Sequence, residues 1–286
     1  MTVLEVIKRS AEFLGKKGVE SPRLQVELLL AHLLNVPRMK LYLDFERVLA
    51  PKELEALREL VKRRGQREPL QHIVGSTSFC GLEMTVNAHV LVPRPETEML
   101  AEFGWTFLNS LANEKRSRAL DFGTGSGCLA ITLAVKCEHA EIFAIDISPD
   151  ALAVARQNAS AHRVDGRTQF FCGDGFGALP ANERFDLIVA NPPYISSAEI
   201  ATLEPEVRDH DPRLALDGGE DGLDFYRRLA REAGPFLKSG GRIMMELGDG
   251  QAVAVEAIFT EEKWIVEEVK ADYCKVQRFL IARRAD

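Results

Sequence analysis

The chain is expected to fold as an α/β protein: an open sheet whose strands alternate with helices, preceded by a small helical bundle. Three observations predict this. Short apolar runs at Ala119 to Phe122, Ala140 to Ile145, Phe170 to Cys172 and Phe185 to Ala190 alternate with helix-length segments, the pattern of βαβ units. The glycine loop Gly123-Thr124-Gly125-Ser126-Gly127 stands between the first of these runs and a helical stretch. Val3 to Arg64 carries apolar residues at helical spacing, without strand-like alternation.

A chain of 286 residues, 46% hydrophobic, is long enough for a sizeable core and two domains. No run of eighteen apolar residues occurs, and Met1 to Ser10 carries no apolar signal region, so the expected location is cytoplasmic and no membrane is implicated. Cys80, Cys128, Cys137, Cys172 and Cys274 are odd in number and widely spaced. They read as reduced small hydrophobes, with no metal site expected. Net charge is −7, distributed as +4 over Met1 to Gly75 (14 basic, 10 acidic) and −11 over the remainder (22 basic, 33 acidic). The acidic larger part argues against a long nucleic-acid footprint there, because duplex binding draws on many Lys and Arg contacts.

Within the first 75 residues, Leu4, Ile7, Ala11 and Leu14 make one apolar stripe, ended by Gly15 or Gly18. Ser21-Pro22 reads as an N-cap with proline at the first helical position, opening a helix with Leu24, Leu28, Ala31 and Leu34 on its apolar face. Pro37 stops it, Leu41 to Phe45 is a short third element, and Pro51 opens a fourth helix carrying Leu54, Leu57, Leu60 and Val61. That helix runs into the basic cluster Lys62 to Arg67. The cluster reads either as a solvated helix end suited to the macrodipole or as a docking patch for an acidic protein or RNA. Pro69 is expected to end the bundle. Alternating residues from Ile73 to Val92, broken by Gly75 and Gly81, then predict a β-hairpin linker. The expected domains are thus 1–75, helical; 76–92, hairpin linker; and 93–286, the α/β domain.

Pro93-Arg94-Pro95 holds the chain extended and releases it into a helix from about Glu96 to Asn109. In the loop Gly123, Thr124, Gly125, Ser126 and Gly127, glycines permit a tight turn and close approach of backbone to ligand. The N–H groups at the following helix start favour an anionic group such as a carboxylate. The next strand ends in Asp146, placed to accept hydrogen bonds from ribose hydroxyls. The spacing Gly-x-Gly-x-Gly departs from the dinucleotide pattern Gly-x-Gly-x-x-Gly, and no Gly-Lys-Ser/Thr follows to hold a triphosphate. Ser148-Pro149 starts another helix. The third strand ends at Gly173-Asp174-Gly175-Phe176, where Asp174 suits an adenine exocyclic amine or a plain surface turn, and Phe176 the ring.

The fourth strand delivers Asn191-Pro192-Pro193-Tyr194 at its carboxyl end, where open α/β sheets bind ligands. Successive prolines fix φ and remove two N–H donors, leaving rigid acceptors. A planar NH2 group could donate to the Asn191 side-chain oxygen and the Pro192 carbonyl, with its face against the Tyr194 ring. The plainer reading is a turn after a strand.

Asp121 to Gly127 together with Asn191 to Tyr194 resemble the class I S-adenosylmethionine-dependent methyltransferases that modify planar nitrogens. With Leu91-Val-Pro-Arg-Pro-Glu-Thr-Glu98 and Pro212-Arg-Leu-Ala-Leu-Asp-Gly-Gly-Glu-Asp-Gly-Leu223 added, the chain is similar over nearly its whole length to the release factor glutamine methyltransferase (HemK or PrmC) family. The resemblance implies a Rossmann-like seven-stranded methyltransferase sheet, and S-adenosyl-L-methionine as methyl donor. It implies class I peptide chain release factors as partners, methylated at N5 of the glutamine of their Gly-Gly-Gln motif, with the helical domain docking the substrate. It further implies that Gly123 to Gly127, Asp146, Asp174, Gly175, Phe176, Asn191 and Arg94 hold the donor. Asn191, Pro192 and Tyr194 would be catalytic, binding the substrate together with Pro193. Gly175 departs from the large apolar residue that many relatives carry there, which shifts the adenine contact to Phe176. Strands at Gly241 to Leu247, Trp264 to Lys270 and Arg278 to Ala282 complete the count, and Ile195 to Asp224 is an irregular stretch of a length usual for a lid. Two alternatives remain at this level: a DNA adenine or RNA guanine N-methyltransferase, and a non-catalytic cofactor-binding adaptor.

Overall fold

The computed structural model describes residues 1–111 and 116–285. The chain divides into two compact units, Met1–Ser76 with Glu204–His210, and Thr77–Leu203 with Asp211–Asp286.

The first unit is helical: α1 (Val3–Lys16), α2 (Pro22–Leu34), α3 (Arg38–Leu43), α4 (Pro51–Gly65) and α5 (Leu70–Val74). Thr2 and Glu5 form a reciprocal capping box at the start of α1, satisfying two N–H groups that a helix start leaves free. Ser21 behaves differently from the expected N-cap. It adopts the left-handed conformation (φ 44°) and makes no side-chain cap, so Pro22 alone marks the start of α2. The buried faces are also rotated from those expected. Val3, Val6, Ile7 and Leu14 face inward on α1, and Val26, Leu29, Leu30 and Ala31 on α2, whereas Leu4 and Leu24 are 46% and 40% exposed. Sequence spacing defines a period but leaves its phase to the neighbouring helix. Pro69 does not end the bundle; it is the N-cap residue of α5.

The basic cluster is divided: Lys62 is exposed at the helix end, while Arg64 and Arg67 are engaged by acidic side chains. Arg64 is 5% exposed, with Nε donating to Gln25 Oε1 at 3.0 Å and Nη2 to Glu206 Oε1 at 2.7 Å. Arg67 reaches Glu206 at 2.6 Å and Glu204 at 2.8 Å, and Arg63 pairs with Glu68 through Nε at 2.8 Å. Glu204 and Glu206 come from 137 or more residues away in sequence, on the segment of the first unit that contains the short helix Pro205–Arg208. Helical periodicity alone had no means of finding them.

The second unit opens with the hairpin β1 (Ser76–Phe79) and β2 (Leu82–Thr85), turned by Cys80 and Gly81, both at positive φ (51° and 78°). There follow α6 (Thr97–Ser110), β3 (Arg118–Phe122), α7 (Cys128–Lys136), β4 (Glu141–Asp146), α8 (Pro149–Ala161), β5 (Thr168–Cys172) and β6 (Phe185–Ala190). With the helix Pro205–Arg208 taken as α9, the rest is α10 (Asp224–Glu232), β7 (Leu237–Glu246), α11 (Ala252–Glu261), β8 (Trp264–Ala271) and β9 (Gln277–Arg284). Seven strands form one sheet in the order β5-β4-β3-β6-β7-β9-β8. β3 to β7 run parallel, while β9 pairs antiparallel with β7 and β8.

Alternation along the strands feeds two cores. Leu187 and Val189 of β6 join a cluster with Leu100 and Leu108 of α6 and Leu133 of α7, while Ile188 and Ala190 join Tyr226 and Leu229 of α10 and Val255 and Phe259 of α11. A strand covered on both faces has apolar residues at every position, which is why β6 reads as an unbroken apolar run. The hairpin belongs to the first of these cores through Phe79 and Met84, both fully buried. The stretch after β6 is more ordered than its composition predicts. Ile195 makes a parallel bridge with Asp217, and single helical turns occur at Glu199–Thr202 and Arg213–Ala215. Among the described residues, no helix is long and apolar enough to cross a membrane.

Because Phe79 is a core residue of the α/β unit, Phe79→Ala should destabilise by about 3–5 kcal/mol, the cost of emptying a fully buried aromatic site. Urea denaturation of the variant measures this; a loss under 1 kcal/mol would mean that the hairpin is only loosely attached.

Candidate active site

Parallel register brings the site together. Phe122 pairs with Ile145 on one side and Ala190 on the other, and Ala190 pairs with Met245. The residues that follow, Gly123, Asp146, Asn191 and Glu246, therefore emerge side by side at the carboxyl edge of the sheet. All of the pocket found there is built from the α/β unit. Its lining includes the glycine loop, Asp146, Asp174, Gly175, Asn191, Pro192, Pro193, Arg94 and Thr97, with apolar walls from Leu91, Leu129, Ile147, Leu214 and Phe225.

The glycine loop is fixed from several directions. Gly123 and Thr124 N–H groups donate to the Ile145 carbonyl at 3.0 and 2.9 Å. The Asp121 carboxyl accepts from Thr124 Oγ1 at 2.6 Å and from Ala130 N at 3.0 Å, tying the end of β3 to the first turn of α7. Asp121 Oδ1 has no hydrogen-bond partner, and burial raises the group to a pKa of about 7. Gly123 and Gly125 have φ of 72° and 54°, and a Cβ at either would meet no protein atom within 4 Å. That open space above the loop is where a ligand can lie against bare backbone. Gly127 shares the positive φ (82°) and has a second reason to be glycine: a Cβ would come within 2.8 Å of Ile131 and 3.1 Å of Ala155, where α7 packs on α8.

Asp146 at the end of β4 accepts from Gly125 N through Oδ2 (2.8 Å) and from Ser148 N through Oδ1 (2.9 Å). Each oxygen retains a second lone pair for a ligand hydroxyl. Ser148 does cap α8, accepting from Ala151 N at 3.2 Å. Asn158 of α8, fully buried, donates to the carbonyls of Ser126 and Thr85 at 2.9 Å each and accepts from Thr85 N at 2.7 Å, which ties the hairpin to the loop. This residue carried no motif and was missed; a lone buried amide in a helix gives no signal until its partners are known.

Three expected contacts come out differently. Phe176 does not line the pocket: its ring is 4% exposed and packs on Phe122 and Phe236, with centroids 5.1 and 4.7 Å apart. It is core. Asp174 lines the pocket, but its carboxylate is bound by the Arg228 guanidinium, a charge that competes with any ligand amine. Gly175 makes that pairing possible, since a Cβ there would overlap the guanidinium. Tyr194 also lies outside the pocket lining. It is partly buried against the α10 and α11 core, burial pushes its phenol up to about 12, and its carbonyl accepts from Gln251 Nε2 at 2.9 Å. The tetrapeptide thus offers Asn191, Pro192 and Pro193 to the pocket, while Tyr194 anchors it.

Arg94 reaches the pocket wall and donates to Asp211 Oδ2 at 2.9 Å. Asn191 Nδ2 donates to Thr97 Oγ1 at 3.1 Å, and Thr97 Oγ1 donates to Glu246 Oε2 at 2.6 Å. Glu246 is 2% exposed, and burial lifts its carboxyl to about 7. Neither Thr97 nor Glu246 was expected here. The available signal was position, an acid directly after the apolar stretch of a parallel strand neighbouring β6. Among the described residues no cluster has the make-up of a metal site.

The pocket suits an elongated ligand with an anionic end and a hydroxylated ring. The loop provides bare backbone and a helix N-terminus, Asp146 provides acceptors, and the walls are apolar. S-adenosylmethionine has this form, with its carboxylate, ribose and adenine.

The PrmC N-terminal domain family matches residues 5–75, and the methyltransferase small domain family matches residues 104–206. The release factor glutamine methyltransferase of Geobacter sulfurreducens is 45% identical over 260 residues, covering 91% of this chain and 88% of that protein. That of Chlorobaculum tepidum is 43% identical over 284 residues, covering 98% and 96%. Among solved structures, a methyltransferase from Pyrococcus furiosus has a TM-score of 0.54 at 19% identity, covering 79% of this chain and 99% of that one. The human methyltransferase 10 domain containing protein has 0.51 at 15%, covering 72% and 90%. At these identities the structural likeness concerns the fold.

The raised Asp121 carboxyl makes stability depend on pH. The folded state keeps a proton that the unfolded chain releases above its ordinary 3.8, so this group's contribution to stability falls as pH rises from about 4 to about 7. Asp121→Asn, which retains the acceptor oxygen, should remove that component. In urea titrations the wild type should lose stability relative to the variant across this window; a constant difference would show that Asp121 ionises normally.

Proposed function

The chain belongs to the release factor glutamine methyltransferase family, and from that membership we infer that it methylates the side-chain amide nitrogen of a glutamine in a peptide chain release factor. Its methyl donor is S-adenosylmethionine. The finer reading, from the family resemblance, is N5-methylation of the glutamine of the Gly-Gly-Gln motif in class I release factors, in the cytoplasm. The observation that supports it is the presence of Asn191 and Pro192 in the same pocket as the glycine loop, one strand away.

When bound, S-adenosylmethionine supplies an electrophilic methyl group on a sulfonium. Gly123 to Gly127 would hold its amino-acid end and Asp146 its ribose. The adenine would lie near Ile147, Asp174 and Gly175, with Phe176 supporting that wall only through Phe122. Arg94, paired with Asp211, lines the same pocket. The side-chain oxygen of Asn191 and the carbonyl of Pro192 would accept the two hydrogens of the substrate amide. An amide nitrogen is a weak nucleophile because its lone pair is delocalised. Two fixed acceptors on its hydrogens raise electron density there, and alignment with the methyl group provides much of the remaining rate. A glutamate in the same place would set a carboxylate against acceptors, leaving every oxygen without a donor. Tyr194 would contribute by holding the backbone of the tetrapeptide, and Pro193 by keeping it extended.

Residues 1–75 would dock the release factor body, with 76–92 as the connecting hairpin and 93–286 as the catalytic domain. The acidic balance of the larger part supports protein over nucleic acid as substrate.

The decisive assay is incubation with labelled S-adenosylmethionine and a purified class I release factor, with duplex DNA and RNA as parallel acceptors, followed by peptide mapping. Label is expected on the Gly-Gly-Gln glutamine. Label confined to nucleic acid would overturn the substrate, and binding of the donor without transfer to any acceptor would indicate an adaptor. Asn191→Ala should lower turnover by roughly two to three decades, the scale of losing a positioned polar group.

A further inference from the structure

The two polar ends of a carboxamide have nearly the same shape and opposite polarity. Only the oxygen end of Asn191 serves an incoming amide N–H; the NH2 end would oppose it and would welcome a carboxylate instead. Selectivity for glutamine over glutamate therefore depends on which end faces the pocket.

Residues outside the tetrapeptide decide this. Thr97 Oγ1 lies 2.6 Å from Glu246 Oε2 and 3.1 Å from Asn191 Nδ2. A hydroxyl has one proton to donate. With that proton given to the carboxylate, only lone pairs remain toward Asn191, so the Asn191 end nearest Thr97 must be NH2 and the oxygen must take the other side. We propose that Thr97 and Glu246 form a relay that orients the Asn191 amide, making both of them positioning residues for glutamine selectivity. This inference rests on the reading of Asn191 as the acceptor of the substrate amide.

The relay has a direction, and the ionisation of Glu246 sets it. A protonated Glu246 could donate to Thr97, whose hydroxyl would then donate to Asn191 and turn its oxygen inward. Arg278 on β9 and Arg94 ahead of α6 favour the charged form, as does the Thr97 hydrogen bond, while burial and Glu96 oppose it. The Tyr194 ring and the Tyr226 hydroxyl complete the surroundings, the latter donating to the Glu246 main-chain carbonyl at 3.2 Å. The balance leaves this carboxyl near pH 7, so modest acidification reverses the relay.

The test compares wild type with Thr97→Val, Thr97→Ser and Asn191→Ala, using S-adenosylmethionine and two release factors, one natural and one with glutamate at the target glutamine. Three quantities are read: kcat between pH 6 and 9, affinity for S-adenosylmethionine by calorimetry, and the ratio of affinities for the two release factors. Thr97→Val should lower kcat roughly tenfold, the smaller effect expected when an orienting partner rather than a contacting group is lost. It should narrow the glutamine-to-glutamate ratio by a similar factor, abolish the acid limb of kcat near pH 7 and leave donor affinity unchanged. Thr97→Ser should restore ratio and limb to within about threefold of wild type. If Thr97→Val keeps the wild-type ratio and acid limb while Asn191→Ala is inactive, the relay is wrong and the Asn191 reading stands. If Asn191→Ala keeps wild-type turnover, both fail. Should Thr97→Val lose donor binding, Glu246→Gln replaces it: the amide oxygen can still accept from Thr97 but does not titrate, so an unchanged acid limb would overturn the relay, and its loss would support it.

Discussion

The parallel pairing of β6 between β3 and β7 is the constraint on which the site depends. It fixes Asn191 beside Gly123 on one flank and beside Glu246 on the other. A shift of one residue along β6 would exchange its two buried faces, moving Leu187 and Val189 into the α10 and α11 core and Ile188 and Ala190 into that of α6 and α7. Because both faces are filled by helices, such a shift would disrupt two cores at once. Positional accuracy at the edge of the sheet is thus underwritten by packing far from the pocket.

What emerges at that edge is held by side chains acting on the protein's own backbone. Asp121, Asp146 and Asn158 bind N–H or carbonyl groups of the glycine loop and its neighbours, so the loop is held by the protein's own groups. Hydrogen bonds to charged groups contribute roughly 1.5–3 kcal/mol each, about twice an ordinary one, which suits carboxylates to holding glycines that have no side chain of their own. The cost falls on the carboxyls. Asp121 and Glu246 are lifted to about 7 because burial outweighs their hydrogen bonds. Preorganisation of this kind matters for a reaction that depends on alignment of a weak nucleophile, since a loop that had to form around the donor would lose that advantage.

Local features were legible in proportion to how local their physics is. The glycine loop, the Asp146 position and Asn191-Pro192-Pro193 are strand-end motifs, and the structure puts them in one pocket as their order along the chain implies. Ser148 caps its helix, yet the identical Ser-Pro pair at Ser21 does not: Ser21 is itself left-handed, whereas a capping residue has extended backbone. Phe176 and Tyr194 read as ligand contacts from their place in a motif, but Phe176 is packed into the core and Tyr194 lies half-buried against it; Arg64 read as a surface cation but is buried against Glu206. In each case the deciding partner lies tens of residues away or more, where no window along the sequence reaches.

Taken alone, the sequence determined the class of fold, the count of the strands and their succession along the chain, the family resemblance and which motifs stand at strand ends. Those follow from hydrophobic period, turn chemistry and short motifs, all properties of neighbours in the chain. Only the tertiary structure decided which face of α1 and α2 is buried, that the hairpin packs into the α/β unit, that Gly175 leaves room for Arg228, and that Thr97 and Glu246 stand behind Asn191. These depend on pairings across as many as 149 residues, and such contacts are set by sheet register and helix packing.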